Sequence, residues 1–376
     1  MKKTKVAFCL RDMQLGGVES VLIRTLDELQ KNKNIEISVI TYVNIGEPGY
    51  VEYFKQHPNI RCDVLYPCSW LGTKLPHFFI ARMVLHFIRD IYRNIKRFFV
   101  TKKFRDIDTF VDYHDFGFYD ELKKIKKAKK IAWSHTSISV FHKRKFIDKL
   151  NVYDNLVVLT DEFKNEFNKL YPGAQDKLIR IYNPIDINKI KSKIDKAVKP
   201  DSSFCCVSRL SWDKDIMTVL KAFDMFWKSN NKPDVKLIMV GDGDKRAEYE
   251  KFAGTLQSSK QIKFVGAQSN PFVYMKKSYA NILSSFNEGL PTVLIEANAI
   301  GTLNIASACK CGPREILLDG RGGLLFEPGN AEQLSKCLND VYNGRVDVEE
   351  MEKKSTKALK RFDSGKIIKE IISLIS

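Results

Sequence analysis

Ser284-Ser-Phe-Asn-Glu-Gly-Leu-Pro-Thr-Val-Leu-Ile-Glu296 has the form of a strand end, a short loop and the opening of a helix. Glu288 and Gly289 occupy the loop, and Pro291 suits the first helical position, where its missing N–H costs no bond. The predicted helix continues through Asn298 and Ala299 to a stop at Gly301. Backbone N–H groups of Gly289, Leu290, Pro291's neighbour Thr292 and Val293 would lack intrahelical partners there, which suits a phosphate. Glu288 would stand at the mouth of such a site, with Glu296 about one and a half turns inside the helix. A carboxylate can accept two hydroxyl hydrogen bonds at once, so either glutamate suits a sugar diol. Spacing alone also allows a plainer account, because glutamates near a helix start complement its dipole.

Outward from this segment, the same strand–loop–helix rhythm recurs. Ser208-Arg-Leu-Ser-Trp-Asp-Lys-Asp215 follows an apolar run at 204–208 and precedes a helix with apolar Met217, Val219, Leu220 and Phe223. Arg209 and Lys214 therefore fall at the carboxyl end of a strand, where open α/β sheets bind ligands, and two cations there would neutralise a diphosphate. Further apolar runs at 236–240, 261–265, 279–284, 304–308 and 323–326 end in turn signals. The first half starts likewise, with a strand at 5–10, the turn Gly16-Gly17 and a helix from Val18 to Gln30. Strands at 35–42, 109–113, 130–133 and 155–159 follow. Strands alternating with helices predict parallel α/β sheets, and a chain of 376 residues predicts two domains. The break falls after Ile181-Tyr-Asn-Pro-Ile-Asp186, in a lysine-rich stretch ending at Pro200. The expectation is two Rossmann-like domains facing across a cleft, residues 1–185 and 186–360, with a final helix at 361–376 packing back on the first domain.

Eight cysteines include the adjacent Cys205 and Cys206 in an apolar run, which indicates core packing in a reducing compartment rather than a disulfide framework. Cys309 and Cys311 form a C-x-C with no partner set for zinc. The apolar stretch after Lys5 is shorter than a signal sequence core, and no apolar run is long enough to span a bilayer. The formal charge is +17; up to Ile185 the chain has 32 basic and 21 acidic residues, or +11, leaving +6 for the rest. That imbalance points to an anionic partner for the first half. From Phe78 to Val100, apolar Val84, Phe87, Ile88, Ile91, Ile95, Phe98 and Phe99 alternate with Arg82, Arg89, Arg93, Lys96 and Arg97. Such a basic amphipathic helix fits two settings: a core-facing helix with a solvated basic face, or one lying on anionic lipid. In the second, each basic residue would add roughly 1 kcal/mol.

Taken together, the glutamate pair, Arg209 with Lys214, Leu237-Ile-Met-Val-Gly-Asp-Gly-Asp244, Phe264-Val-Gly-Ala-Gln268, Cys311-Gly-Pro-Arg-Glu-Ile316 and Gly320-Arg-Gly-Gly-Leu324 resemble retaining glycosyltransferases of the GT-B fold, family 4 (glycosyl transferases group 1). The likeness covers nearly all of the C-terminal half and the Gly16-Gly17 turn. It implies that Glu296 binds the donor ribose and Glu288 the transferred sugar. It implies also that Arg209 and Lys214 hold the diphosphate, helped by Gly289, Leu290, Pro291 and Thr292 and by Gly16 and Gly17 from the other domain. The base would rest on Val265 and Gly266, in the loop that ends at Gln268. His135 in Trp133-Ser-His-Thr136 falls where the family often has a histidine near the donor sugar, although a lone histidine is as readily structural; His114 and Asp115 are secondary candidates.

The resemblance implies a retaining transfer from a UDP- or GDP-sugar to a saccharide or an undecaprenyl-type lipid-linked saccharide, in bacterial polysaccharide or glycan assembly. A cytoplasmic enzyme, peripheral on the inner face of the membrane through Phe78 to Val100, is the matching expectation. Asp242-Gly-Asp244 has D-x-D spacing but lies in a turn, so metal-independent catalysis is expected, with the leaving diphosphate serving as base. Two other readings compete. A non-hydrolysing sugar-nucleotide 2-epimerase of the same fold would need no acceptor. A basic nucleic-acid-binding protein would account for the charge, but no reader module is recognisable, so no nucleic acid is expected. Gly16-Gly17 lacks the G-x-G-x-x-G spacing of a dinucleotide oxidoreductase.

Overall fold

The computed structural model describes residues 3–14, 16–65, 83, 91, 104–194 and 201–376. The amphipathic segment from Phe78 to Val100 lies outside the described residues except for Met83 and Ile91.

The chain builds two parallel sheets. The first contains β1 (Thr4–Leu10), β2 (Ile35–Thr41), β3 (Arg61–Val64), β4 (Thr109–Asp112), β5 (Lys129–Trp133), β6 (Asn155–Val158) and β7 (Leu178–Arg180), in the order β3-β2-β1-β4-β5-β6-β7. The second contains β8 (Ser203–Val207), β9 (Lys236–Val240), β10 (Ile262–Gly266), β11 (Asn281–Leu283), β12 (Asn304–Ser307) and β13 (Leu324–Phe326), in the order β10-β9-β8-β11-β12-β13. Every pairing is parallel. Central strands such as β1 are unbroken buried runs because helices cover both faces. β3 and β7 were not anticipated from sequence. They are edge strands of four and three residues, half in solvent, so they lack the continuous apolar run that marks the others.

Six helices matter for the site: α1 (Gly17–Leu29), α2 (Asp161–Leu170), α3 (Ile216–Ser229), α4 (Thr292–Ala299), α5 (Pro313–Ile316) and α6 (Ser364–Ile375). Val21, Leu22, Thr25, Leu26 and Leu29 form the buried stripe of α1, three and four residues apart. One apolar cluster runs without a break from Leu22 and Leu26 through Ile185 to Leu294, Ile316 and Ile371, so the two sheets share packing across their junction. At the waist, Ile185 bridges Asp363, placing the outgoing and returning connections side by side. Beyond it, α6 packs on α1, and the Thr109 hydroxyl donates to the Ile375 carbonyl at 2.9 Å.

Strand order reverses between β1 and β4 in the first sheet and between β8 and β11 in the second. Open α/β sheets leave a crevice beyond the carboxyl ends of the strands at such switch points. Here the two crevices open onto one cleft, lined by Gly17 and Val21 from one side and by Ser208, Arg209 and Glu288 from the other.

Candidate active site

The loop after β11 is fixed to the loop after β8 before any ligand enters. The Ser284 hydroxyl donates to the Lys214 carbonyl at 2.7 Å, and the Phe286 N–H donates to the Asp213 carbonyl at 2.9 Å. This brings the Lys214 ammonium to 2.6 Å from Glu288 Oε1, which also accepts the Ser285 hydroxyl at 2.6 Å. Lys214 and Glu288 are thus partners, both largely shielded from solvent, where the sequence had given them separate ligands. Arg209 lines the same cleft, is exposed, and makes no ion pair among the described residues. Lys214 also lies 3.7 Å from Asp213, so its ammonium is shared between two carboxylates, whereas the Arg209 guanidinium keeps its N–H donors for an anionic ligand.

Pro291 caps α4 rather than opening it, with φ −70° and ψ 93°, so the first helical residue is Thr292. No side chain caps that end, and Gly289, Leu290, Thr292 and Val293 line the cleft. The start of α1 is likewise uncapped, and Gly17 faces open space in the cleft wall. Gly16 sits behind it, where an added Cβ would meet Glu19 Oε2 at 2.4 Å. Gly289 needs to be glycine for a different reason. Its Cβ position lies 2.0 Å from the His135 carbonyl oxygen, so the two domains touch backbone to backbone at the cleft.

His135 stands at the end of β5 in the cleft wall. Its backbone N–H donates to Asp115 Oδ1 at 3.0 Å, and its ring lies 4.5 Å from that of Tyr113. Burial, with His114 nearby, pushes its pKa down to about 3, so the imidazole is neutral. Its Nε2 is buried without a partner, as is Oδ1 of Asn183, another cleft residue. Two orphaned polar atoms in one cleft are what a polar ligand would satisfy. Asn183 was read from sequence only as part of the interdomain connection; an Asn-Pro step at a strand end was its one visible signal.

Three further residues expected to contact the donor do not line this cleft. Val265 and Gly266 end β10, the edge strand of the second sheet, and are not among the residues lining this cleft; the Gly266 carbonyl accepts the Gly241 N–H at 2.9 Å. Glu296 does not line it either. Its carboxylate turns to Arg24 of α1, with Nη2 to Oε1 at 3.1 Å across the domain boundary. Arg24 had no sequence signal, because the pairing depends on how the two domains dock. A second interdomain contact was also invisible: Glu315 Oε2 accepts the N–H groups of Asp161 and Glu162, at 2.9 and 3.2 Å, and so caps α2 from the other domain. Glu162 in turn accepts the Cys311 N–H at 3.0 Å.

The Asp242-Gly-Asp244 turn packs on the loop after β8, where a Cβ on Gly241 would lie 1.9 Å from the Ser208 carbonyl oxygen. Asp242 pairs with Arg246 at 3.1 Å, so this turn supports the Arg209 loop. Cys205, Cys206, Cys309 and Cys311 are free, buried thiols. Among the described residues no group of three or more His, Cys, Asp or Glu side chains could hold a metal ion, and no helix is long and apolar enough to cross a membrane.

Residues 187–361 match the family Glycosyl transferases group 1. An uncharacterized glycosyltransferase of Methanocaldococcus jannaschii is 26% identical over 253 residues, which are 58% of this chain and 62% of the relative. The GalNAc-alpha-(1->4)-GalNAc-alpha-(1->3)-diNAcBac-PP-undecaprenol alpha-1,4-N-acetyl-D-galactosaminyltransferase of Campylobacter jejuni is 25% identical over 99% of this chain and 98% of its own length. Among solved structures, Anabaena HepE in complex with UDP and glucose has the same fold, with a TM-score of 0.77 over 99% of both chains at 19% identity. Residues 187–361 therefore match the glycosyl transferases group 1 family, and the chain has the GT-B fold.

Proposed function

We propose that this enzyme transfers a sugar, with retention of configuration, from a UDP- or GDP-sugar to a saccharide or lipid-linked saccharide acceptor in bacterial surface glycan assembly. The observation that carries the reading is the Lys214–Glu288 pair beside unpaired Arg209 at the switch point of the second sheet. The resemblance to family-4 motifs supports the retaining assignment, and the lipid-linked acceptor named for the Campylobacter relative supports the acceptor class.

In this reading the bond between the anomeric carbon and the diphosphate oxygen breaks as the acceptor hydroxyl oxygen bonds to that carbon. The hydroxyl proton passes to the leaving diphosphate. Arg209, Lys214 and the N–H groups at the start of α4 take up the charge that develops there, which makes the transfer independent of a metal. Glu288 orients the sugar while remaining tied to Lys214, and neutral His135 offers Nε2 to a sugar hydroxyl. Glu296, steadied by Arg24, serves the ribose. The enzyme works in the cytoplasm, held on the inner membrane face by the basic segment from Phe78 to Val100.

A panel of sugar nucleotides with lipid-linked saccharides tests this. Nucleoside diphosphate release stimulated by acceptor, undiminished by EDTA and lost in Glu288→Ala and Lys214→Ala, is the expected result. Full activity in either variant would remove the assigned donor site, and epimerised donor without any acceptor would favour the 2-epimerase. Flotation with anionic and neutral liposomes tests the membrane assignment; equal recovery from both would overturn its electrostatic part.

A further inference from the structure

The first turn of α1 brings a negative charge to the edge of the donor cleft. Glu19 stands two residues after Gly17, which belongs to the cleft wall, and is only 6% exposed. Its carboxylate folds back over the turn, where a Cβ on Gly16 would lie 2.4 Å from Oε2. In that position it accepts its own backbone N–H, one of the groups that a helix start otherwise offers to an anion.

The charge is poorly matched. Among the described residues its one ion-pair contact is the His114 ring, with Nε2 3.7 Å from Oε1. Arg209 acts on it from the other domain, beyond ion-pair distance, and Asp12 adds a like charge. Burial, set against the bond from its own N–H and the effects of His114 and Arg209, holds the Glu19 pKa above the ordinary carboxylate range. Glutamates in a first helical turn commonly complement the dipole from solvent. This one is buried behind a turn that faces the ligand cleft, so the dipole alone does not account for it.

We propose that Glu19 sets the balance between donor and product, its charge disfavouring a nucleoside diphosphate more than the matching sugar nucleotide; the assignment rests on the donor reading above. In a sugar nucleotide each phosphate has two covalent links and carries one negative charge. Once the sugar has left, and the proton taken from the acceptor has passed to solvent, the terminal phosphate is a monoester with nearly one further charge. Arg209 and Lys214 by themselves would therefore hold the product more tightly than the donor. Glu19 opposes the added charge from the facing domain, next to Gly17. It also competes for an N–H at the start of α1, and His114 gives its carboxylate a second partner when a phosphate oxygen takes that N–H over. The spent nucleotide is thereby released rather than retained, a step that limits turnover in many enzymes.

The test uses the full-length protein at constant ionic strength and pH 8, where the terminal phosphate has its second charge. Wild type, Glu19→Gln and Glu19→Ala are titrated calorimetrically with UDP or GDP, whichever binds, with the sugar nucleotide of that base without acceptor, and with the bare nucleoside. Glutamine keeps the shape and removes the charge; alanine decides the matter should the glutamine variant fail to fold. Loss of the charge should tighten the nucleoside diphosphate about tenfold and the sugar nucleotide only about threefold, with the nucleoside unchanged. Equal gains for diphosphate and sugar nucleotide, no gain, a loss, or a matching gain for the phosphate-free nucleoside would overturn the role of Glu19 and leave the donor site standing. A wild-type protein that binds no nucleotide would instead overturn the donor reading, and this one with it.

Discussion

Arg24 of α1 and Glu296 of α4 meet at 3.1 Å, a contact between residues 272 positions apart that joins the two domains. Only one carboxylate oxygen is engaged, so the other is left for a ribose hydroxyl. The arginine is about one-third exposed and the glutamate far less, which places the pair between a surface bridge and a buried one. Arg24→Met should weaken nucleotide binding by about threefold to fivefold, corresponding to roughly 1 kcal/mol. The affinity difference between wild type and variant should shrink in high salt. Nucleotide titrations at two ionic strengths check this; a variant that binds tighter would mean that Arg24 competes with the ligand.

Gly289→Ala probes the domain contact directly. The new methyl would meet the His135 carbonyl oxygen, which belongs to backbone and cannot swing away. The domains must separate by about an ångström to admit it, and misplacement on that scale costs about a hundredfold in rate. Turnover should fall accordingly, while the thermal midpoint moves by only a few degrees because the two sheets' own cores are untouched. Turnover near wild type would show that the cleft tolerates a wider setting.

Much of this architecture could be read from the chain alone, and the reasons for the gaps are specific. Runs such as Val6 to Leu10 and Phe204 to Val207 announce buried parallel strands because both faces are covered. Arg209, Lys214 and Glu288 could be placed because each follows such a strand within a few residues. What sequence could not convey was pairing across the cleft. Nothing within a residue or two of Arg24 or Glu315 refers to its partner, and Lys214 looked free for phosphate because Glu288 lies 74 residues away. Val265 and Gly266 were placed in the site by the family resemblance. Their strand is at the sheet's edge, beyond β9, and that order is fixed only by the pairing of β10 with β9 and of β9 with β8.

Glu315 offers a third test, because it completes a helix belonging to the other domain. It accepts two of the free N–H groups of α2, and Tyr182 donates its hydroxyl to the same carboxylate. Helix ends that lose an acidic cap typically lose about 1 kcal/mol. Glu315→Ala should therefore reduce stability toward urea by about 1 to 2 kcal/mol and broaden the transition as the domains unfold less cooperatively. A sharp transition at the wild-type midpoint would show that the contact contributes nothing to coupling.

His135 yields a prediction in pH. Its folded pKa is depressed to about 3 from the ordinary 6.5, first by burial and then by His114. Between those values the unfolded chain holds a proton that the native protein lacks, so stability falls as pH drops, by about 1.4 kcal/mol per pH unit from this group. Asp112 acts in the opposite sense: burial raises its pKa to about 6 from 3.8, so protonation favours the native state as pH falls through that window. Total stability mixes the two, whereas a comparison with His135→Asn isolates the ring. The variant should gain on wild type steadily between about pH 6.5 and pH 5, and urea denaturation across that range measures the gain. A difference independent of pH would mean that the native imidazole takes up its proton as readily as the unfolded one, and a neutral His135 facing the donor sugar would then have to be abandoned.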